Sequence, residues 1–405
     1  MKYIGLSCGF HDAGLTVVDD KGEILFAGHS ERYSKKKHDP DLCMGIVNEA
    51  MTHIAGDKFE VHYYEKPWLK AIRQFRAGQP IGPLAVKQII GPELVERMHD
   101  SNVTTHVHHK THAAAGFQTS PFDEATVVVI DAIGEMDCIS IWHAYYDKKG
   151  YAKYKKLWSK KYPNSIGMFY SAMTQRVGLK PMDEEYILMG MAAYGKPRHA
   201  NRMANTYLDD LFELEFKQNL HIGLEPNTFL DKADEMDIAS SAQVVCETLI
   251  EKVMMKAKRL GSSMNLVYGG GVALNCLANR LIGKYFKDIW IMPNPGDAGN
   301  SLGAAALGYG KKLIWRDAFL GTEIPGHYPV DKILRQLKEN KMVGVASGRA
   351  EFGPRALGNR SLLADPRGPE IKDKVNEIKR RQKFRPFAPV ILEEFVHDYF
   401  IMPSS

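Results

Sequence analysis

His108 and His112 stand four residues apart in His108-His109-Lys110-Thr111-His112-Ala113-Ala114-Ala115, a stretch whose composition favours helix. On a helix this spacing stacks both imidazoles on one face, close enough to share a metal ion. The alternative is a histidine-rich helix start with no ligand role. The glutamate of the H-E-x-x-H zinc motif is absent, because His109 and Lys110 occupy the next two positions. A carboxylate from elsewhere would complete a two-histidine, one-carboxylate site of the kind that suits ferrous iron. Asp297 is a candidate. The run Asn294-Pro295-Gly296-Asp297-Ala298-Gly299-Asn300-Ser301 sets it in a glycine-flanked turn before a small-residue helix, either as a metal ligand or as a helix cap.

Other groups suit phosphate chemistry. Gly269-Gly270-Gly271-Val272-Ala273-Leu274-Asn275 sits where a strand turns into a helix, and glycines there let backbone N–H groups approach a phosphate. It is neither G-x-G-x-x-G nor a Walker sequence. Gly9-Phe10-His11-Asp12-Ala13-Gly14 is a turn between strands that carries an imidazole and a carboxylate, suited to general base work on an alcohol or simply a polar turn. Glu31-Arg32-Tyr33 and Lys37-His38-Asp39 are polar groups within reach of the same cleft, and Asp131-Ala132-Ile133-Gly134-Glu135 repeats the acidic-glycine turn. Arginines alternate with glycines from Gly348 to Ser361, including Arg349, Arg355 and Arg360, and Arg367, Arg380, Arg381 and Arg385 follow. Guanidinium groups among glycines favour a phosphate or carboxylate site over a solvated face.

The elements that would carry these groups read as two similar units. Tyr3–Ser7, Leu15–Val18 and Ile24–Ala27 are strand candidates, as are residues 125–131, 138–145 and 151–158. A third unit has a strand at 265–268, the triple glycine, and a helical pattern from Ala273 to about Tyr285. Helices are expected at 41–53, 110–119, 167–177, 189–194 and 238–260. Two strand-strand-strand-helix units, each with an acidic turn, predict an α/β fold of the two-lobed actin-like ATPase type. A proline-containing boundary at 321–329 precedes a new strand at Met342–Ala346.

The chain has 405 residues with 53 basic and 48 acidic side chains, a net charge of +5 that permits a phosphorylated or nucleic-acid substrate without implying one. No apolar run approaches the roughly 20 residues of a membrane span. The start has no signal-peptide pattern, and the five cysteines are scattered with no C-x-x-C, which suits a reduced cytoplasmic compartment.

Taken together, residues 5–18, 31–39, 108–117, 165–197, 269–275, 295–305, 348–367 and 384–389 resemble the NodU/CmcH-type O-carbamoyltransferases, with Glu351-Phe352-Gly353-Pro354-Arg355-Ala356-Leu357-Gly358 the most specific run. The resemblance implies an actin-like (ASKHA-type) domain over residues 1–325, a linker at 326–340, and a YrdC-like domain over 341–405. It implies that carbamoyl phosphate and ATP, the latter with Mg2+, give carbamoyl-adenylate, whose carbamoyl group passes to a hydroxyl. Position by position, His108, His112 and Asp297 would hold iron, with Mn2+ or Zn2+ as alternatives. Gly269, Gly270, Gly271 and Asn275 would form the adenylate turn, joined by Asp131 and Gly134. His11, Asp12 and Lys37 would form the transfer site, and Arg349, Arg355 and Arg360 part of the carbamoyl phosphate pocket.

One departure stands out. Family members need well over a hundred residues for the YrdC-like domain, and only about 60 follow Met342 here. The final section is therefore expected to be incomplete, and a complementary YrdC-like polypeptide or a homodimer becomes a possible partner. Alternative readings are carbamoylation of a nucleic acid, or a non-catalytic nucleotide- and metal-binding module.

Overall fold

The computed structural model describes every residue except 55, 91, 99–102, 222, 225–226 and 402–405, so the last four positions of the 341–405 section lie outside it. Its first sheet holds β1 (Lys2–Ser7), β2 (Gly14–Asp19), β3 (Ile24–His29), β4 (Phe59–Tyr63) and β5 (Val103–Thr105). Their order is β3-β2-β1-β4-β5; β1 to β3 are antiparallel and β4 and β5 add in parallel. The second sheet repeats this plan with β6 (Glu124–Ile130), β7 (Asp137–Tyr146) and β8 (Ala152–Lys161). After a small hairpin, β9 (Leu208–Asp210) and β10 (Glu215–Phe216), it is completed by β11 (Asn265–Gly269) and β12 (Asp288–Trp290), in the order β12-β11-β6-β7-β8. Three antiparallel strands extended by two parallel ones, twice over, is the expected two-lobed actin-like arrangement. Val127 to Ile130 are buried on both faces, as a central strand covered by helices requires.

The 26-residue helix Glu235–Leu260 packs the second lobe. Asp234 caps it by accepting from the Met236 and Asp237 amides, and Lys258 and Arg259 end it, so both termini complement the helix dipole. Among the described residues no helix is long and apolar enough to cross a membrane.

Two expectations about local structure need correcting. Residues 273–285 do not form one helix. They break into the 3-10 turn Gly271–Leu274, the short helix Cys276–Asn279 and a second 3-10 turn at Ile282–Lys284. The cause is Asn275, whose side-chain oxygen accepts from Ala278 N and restarts the helix instead of continuing it. Within the expected linker 326–340, Val330–Asn340 is an amphipathic helix. Strand β13 (Phe319–Ile324), before that segment, pairs with β15 (Gly348–Glu351) after it. Strand β14 (Met342–Ala346) pairs with β16 (Arg360–Ala364).

Candidate active site

Two helices bring the functional side chains together. Helix His108–Phe117 is anchored at its start by Glu135, whose two carboxylate oxygens accept from His108 N at 3.0 and 3.1 Å, while one also accepts from Lys66 N at 2.9 Å. A carboxylate there satisfies free helix donors and faces the positive end of the dipole. The helix lies directly on the second sheet: a Cβ at Gly116 would come within 2.4 Å of Val267 Cγ1. Helix Asn300–Tyr309 crosses it at backbone contact. A Cβ at Gly303 would sit 2.0 Å from Thr111 O, and one at Gly5 on β1 would sit 1.8 Å from Ser301 O. These small residues let the starts of the two helices meet.

Four ligand atoms converge where they meet. His108, His112, Asp131 and Asp297 each offer one, all within 4.8 Å of one another. His108 Nε2 lies 3.0 Å from Asp131 Oδ2 and 3.4 Å from Asp297 Oδ1; His112 Nε2 lies 3.6 and 3.2 Å from the same two oxygens. The two Nε2 atoms are 3.1 Å apart. Nitrogen and oxygen ligands at about 2.1 Å from a common ion would be spaced about 3.0 to 3.4 Å from one another, so the set fits a divalent cation. A second observation agrees: Asp297 Oδ1 is buried and makes no hydrogen bond among the described residues, although two imidazole nitrogens face it. The donor set of two imidazoles and two carboxylates is one that iron, manganese and zinc all accept.

The electrostatics are those of a compressed charge cluster. Burial alone would lower the His108 imidazole, yet Asp297 and Asp131 outweigh it and hold it well above its usual value; His112 is raised in the same way. Burial and Asp131 would raise the Asp297 carboxyl, but the two histidines hold it below the usual carboxylate range. His109, one residue along, points away to Ser140 Oγ at 2.7 Å, and burial pushes its imidazole well down.

Next to the cluster lies the β1–β2 turn. His11 Nε2 is 3.7 Å from Asp297 Oδ2, and His11 Nδ1 is 2.9 Å from Asp12 Oδ2. Asp12 has φ of 54°, a left-handed conformation that aspartate tolerates. Its other oxygen is 2.7 Å from His38 Nδ1, and His38 Nε2 is 2.8 Å from Asp183 Oδ1. Lys37 also donates to Asp183, from an exposed position. Burial would lower the His11 imidazole, but Asp12 and Asp297 push it up to about 9. The expected transfer residues are therefore brought beside the expected metal ligands, with Lys37 at the outer end.

The glycine turn is also adjacent. Gly271 N donates to Asp131 Oδ1 at 3.2 Å, tying the turn to the cluster. Gly270 has φ of 89°, and a Cβ there would meet Ile130 O at 2.2 Å, so only glycine fits. Gly269 continues β11, and Gly134 packs against His108 and His109. Asn275 does not point freely into this space. Its amide is paired with that of Gln243 in both directions and caps Cys276–Asn279.

The three arginines separate. Arg349 donates to the carbonyls of Leu25, Leu320 and Gly321, and Arg360 to those of Ser347, Gly348, Thr322 and Asn359. Both guanidinium groups thus bind main chain and hold the β13–β15 region in place. Arg355 alone is exposed and reaches the glycine turn, donating to Leu274 O at 3.0 Å. Glu351, buried, accepts from the amides of Leu357, Asn359 and Arg360 and so shapes the loop that carries Arg355.

Sequence reasoning assigned Asp131 to the nucleotide side only, and did not single out His38, Asp183 or the helix anchor Glu135. His38 stood within a quoted polar run, which was the available signal. Asp183 and Glu135 had none, because their partners are more than 25 positions away.

Comparison with known proteins now applies. The description "Carbamoyltransferase N-terminus" matches residues 45–306, and "Carbamoyltransferase C-terminus" matches residues 334–405. The chain belongs to the carbamoyltransferase family. It is 31% identical to an uncharacterized Synechocystis protein, sll1178, over 98% of this chain and 76% of that protein. It is 26% identical to the nodulation protein NolNO of Sinorhizobium fredii, over 98% of this chain and 64% of that one. A solved structure, component A of the Acidaminococcus fermentans (R)-2-hydroxyglutaryl-CoA dehydratase, aligns at 14% identity with a TM-score of 0.42, over 76% of this chain and 98% of its own. As a member of this NodU/CmcH-type family the chain is a carbamoyltransferase, with carbamoyl phosphate and an acceptor as its substrates.

Proposed function

We propose that this carbamoyltransferase moves a carbamoyl group from carbamoyl phosphate to a hydroxyl acceptor through carbamoyl-adenylate formed with ATP, and that residues 1–325 perform the transfer. The observation that carries the reading is the convergence of His108, His112, Asp131 and Asp297 beside both the glycine turn and the His11–Asp12 turn. Those four residues would hold a divalent ion, iron being favoured, which supplies positive charge for the nucleotide phosphate. The amides of Gly270 and Gly271 and the exposed Arg355 flank the same space and suit the adenylate. Residues 341–405 contribute the Glu351-shaped loop and would be part of the unit that makes the intermediate.

Carbamoyl-adenylate is a mixed anhydride with AMP as leaving group, so transfer needs orientation, a base for the hydroxyl and stabilisation of the departing phosphate. His11 is the base in this reading. Asp12 fixes its ring through Nδ1, leaving Nε2 facing the cluster, where the hydroxyl proton would be taken up. Asp12 also binds His38, and His38 binds Asp183, so the proton has a hydrogen-bonded route outward. Lys37 holds Asp183 at the end of that route.

The test is to incubate the chain with carbamoyl phosphate, ATP and a divalent metal, measure pyrophosphate and phosphate release, and screen hydroxylated acceptors for a mass gain of one carbamoyl group. Release with transfer is expected. Nucleotide binding without release or transfer would favour a binding module or a split enzyme.

A further inference from the structure

A cavity of about 680 Å3 lies between the helix Glu185–Met191 of the second lobe and the helix Ile371–Ile378 with its following loop. That volume is ordinary for a small-molecule site. Arg380, Arg381, Lys383 and Arg385 line it, opposed by Glu184 and Glu377. Among the described residues no carboxylate forms an ion pair with any of the four cations. Arg381 uses Nε on Asn376 Oδ1 at 2.6 Å, and Arg385 lies over the Tyr186 ring at 4.7 Å. Burial and the charges of Arg381 and Arg385 hold the neighbouring Lys379 ammonium below its usual value. Unpaired cations so close together call for an anion.

The position of the cavity narrows which anion. Tyr186 is flanked by Arg385 on one side and by Lys37, 5.2 Å from the ring centroid, on the other. From Lys37 the contacts run through Asp183, His38, Asp12 and His11 to Asp297. The metal cluster and glycine turn lie at the inner end of this chain and the basic cavity at its outer end. A donor nucleotide held at the inner end leaves the outer end for the molecule that brings the hydroxyl. We propose that this cavity receives a phosphate or carboxylate group of the acceptor, making the acceptor an anionic small molecule. Glu184 and Glu377 would accept from its hydroxyl groups, a pattern that suits a phosphorylated polyol or sugar. The assignment rests on the transfer reading above.

Calorimetric titration of the full chain with glucose 6-phosphate, glucose and ADP tests it. Wild type is expected to bind glucose 6-phosphate and not glucose. Combining Lys383→Gln with Arg385→Gln should weaken glucose 6-phosphate by about tenfold or more and leave ADP unchanged, while Arg385→Lys retains most of the affinity. If the double variant does not fold, Lys383→Gln alone carries the comparison with a smaller loss. Absence of glucose 6-phosphate binding by wild type overturns the proposal. Parallel loss of ADP binding in the variant also overturns it, by giving the cavity to the donor's phosphates. No carbamoyl transfer is measured, so this result and the mass-gain assay fail independently.

Discussion

Replacing Gly303 by alanine sets two effects of opposite sign against each other. Glycine inside a helix costs about 1 kcal/mol relative to alanine, so on helix propensity alone Gly303→Ala should stabilise the protein. The structure predicts the reverse. The new Cβ would lie 2.0 Å from Thr111 O and 2.7 Å from Thr111 C, both main-chain atoms of the helix that carries His108 and His112. Ordinary contact requires a separation of roughly 1 to 1.5 Å more than this, and no side chain can rotate away to provide it. Forced overpacking typically costs about 1–3 kcal/mol, enough to cancel the propensity gain and leave a net loss. The same displacement would move the two histidines away from Asp297, from which His112 Nε2 is now 3.2 Å distant. Ligand positions must hold to about 0.2 Å for tight binding, so metal affinity should fall by about tenfold or more. Thermal unfolding with and without Mn2+, together with a metal titration, reads both effects. A rise in Tm with unchanged metal affinity would refute the argument that close helix contact builds the site.

The remaining predictions are compact. Arg360→Leu strips donors from four main-chain carbonyls and should destabilise the protein by about 2–4 kcal/mol in denaturant unfolding, with nucleotide affinity changed less than in Arg355→Gln. Asp234→Ala removes the cap of the Glu235–Leu260 helix and should cost about 1 kcal/mol. Asp183 contributes through a depressed carboxyl, for which burial works against and Lys37 and Lys180 work in favour. A depressed carboxylate stabilises above its unfolded range and loses that contribution as pH falls below about 4, so the Tm deficit of Asp183→Asn should be present at neutral pH and vanish in acid. His38→Gln should lower the rate of carbamoyl transfer and leave metal binding unchanged, since His38 touches only Asp12 and Asp183 in this network.

Much of this architecture was legible from residue pattern. The apolar strands and their turns gave both lobes because their hydrophobic periodicity is local, and the four-residue spacing of His108 and His112 survived as a shared helix face. Asp297 was legible as a ligand candidate from its glycine-flanked turn. The fourth ligand-like residue, Asp131, was not, because it ends β6 and meets the histidines only when their helix packs back on the sheet. Arg349 and Arg360 looked like anion binders because a guanidinium among glycines also fits main-chain carbonyls equally well, and only the fold decides between the two partners. The helix Val330–Asn340 was hidden by the prolines at 325 and 329, which drew attention to a boundary and away from the amphipathic run behind them.

The central claim is that His108, His112, Asp131 and Asp297 form one metal centre serving the nucleotide. Titrating metal-free protein with Mn2+, followed by electron paramagnetic resonance, tests it most directly. Wild type should take up a single tightly bound ion per chain whose signal changes on adding ATP, and Asp297→Asn should lose that site with an affinity drop of about 100-fold or more. Equal Mn2+ uptake by wild type and Asp297→Asn, or no uptake by either, would contradict it.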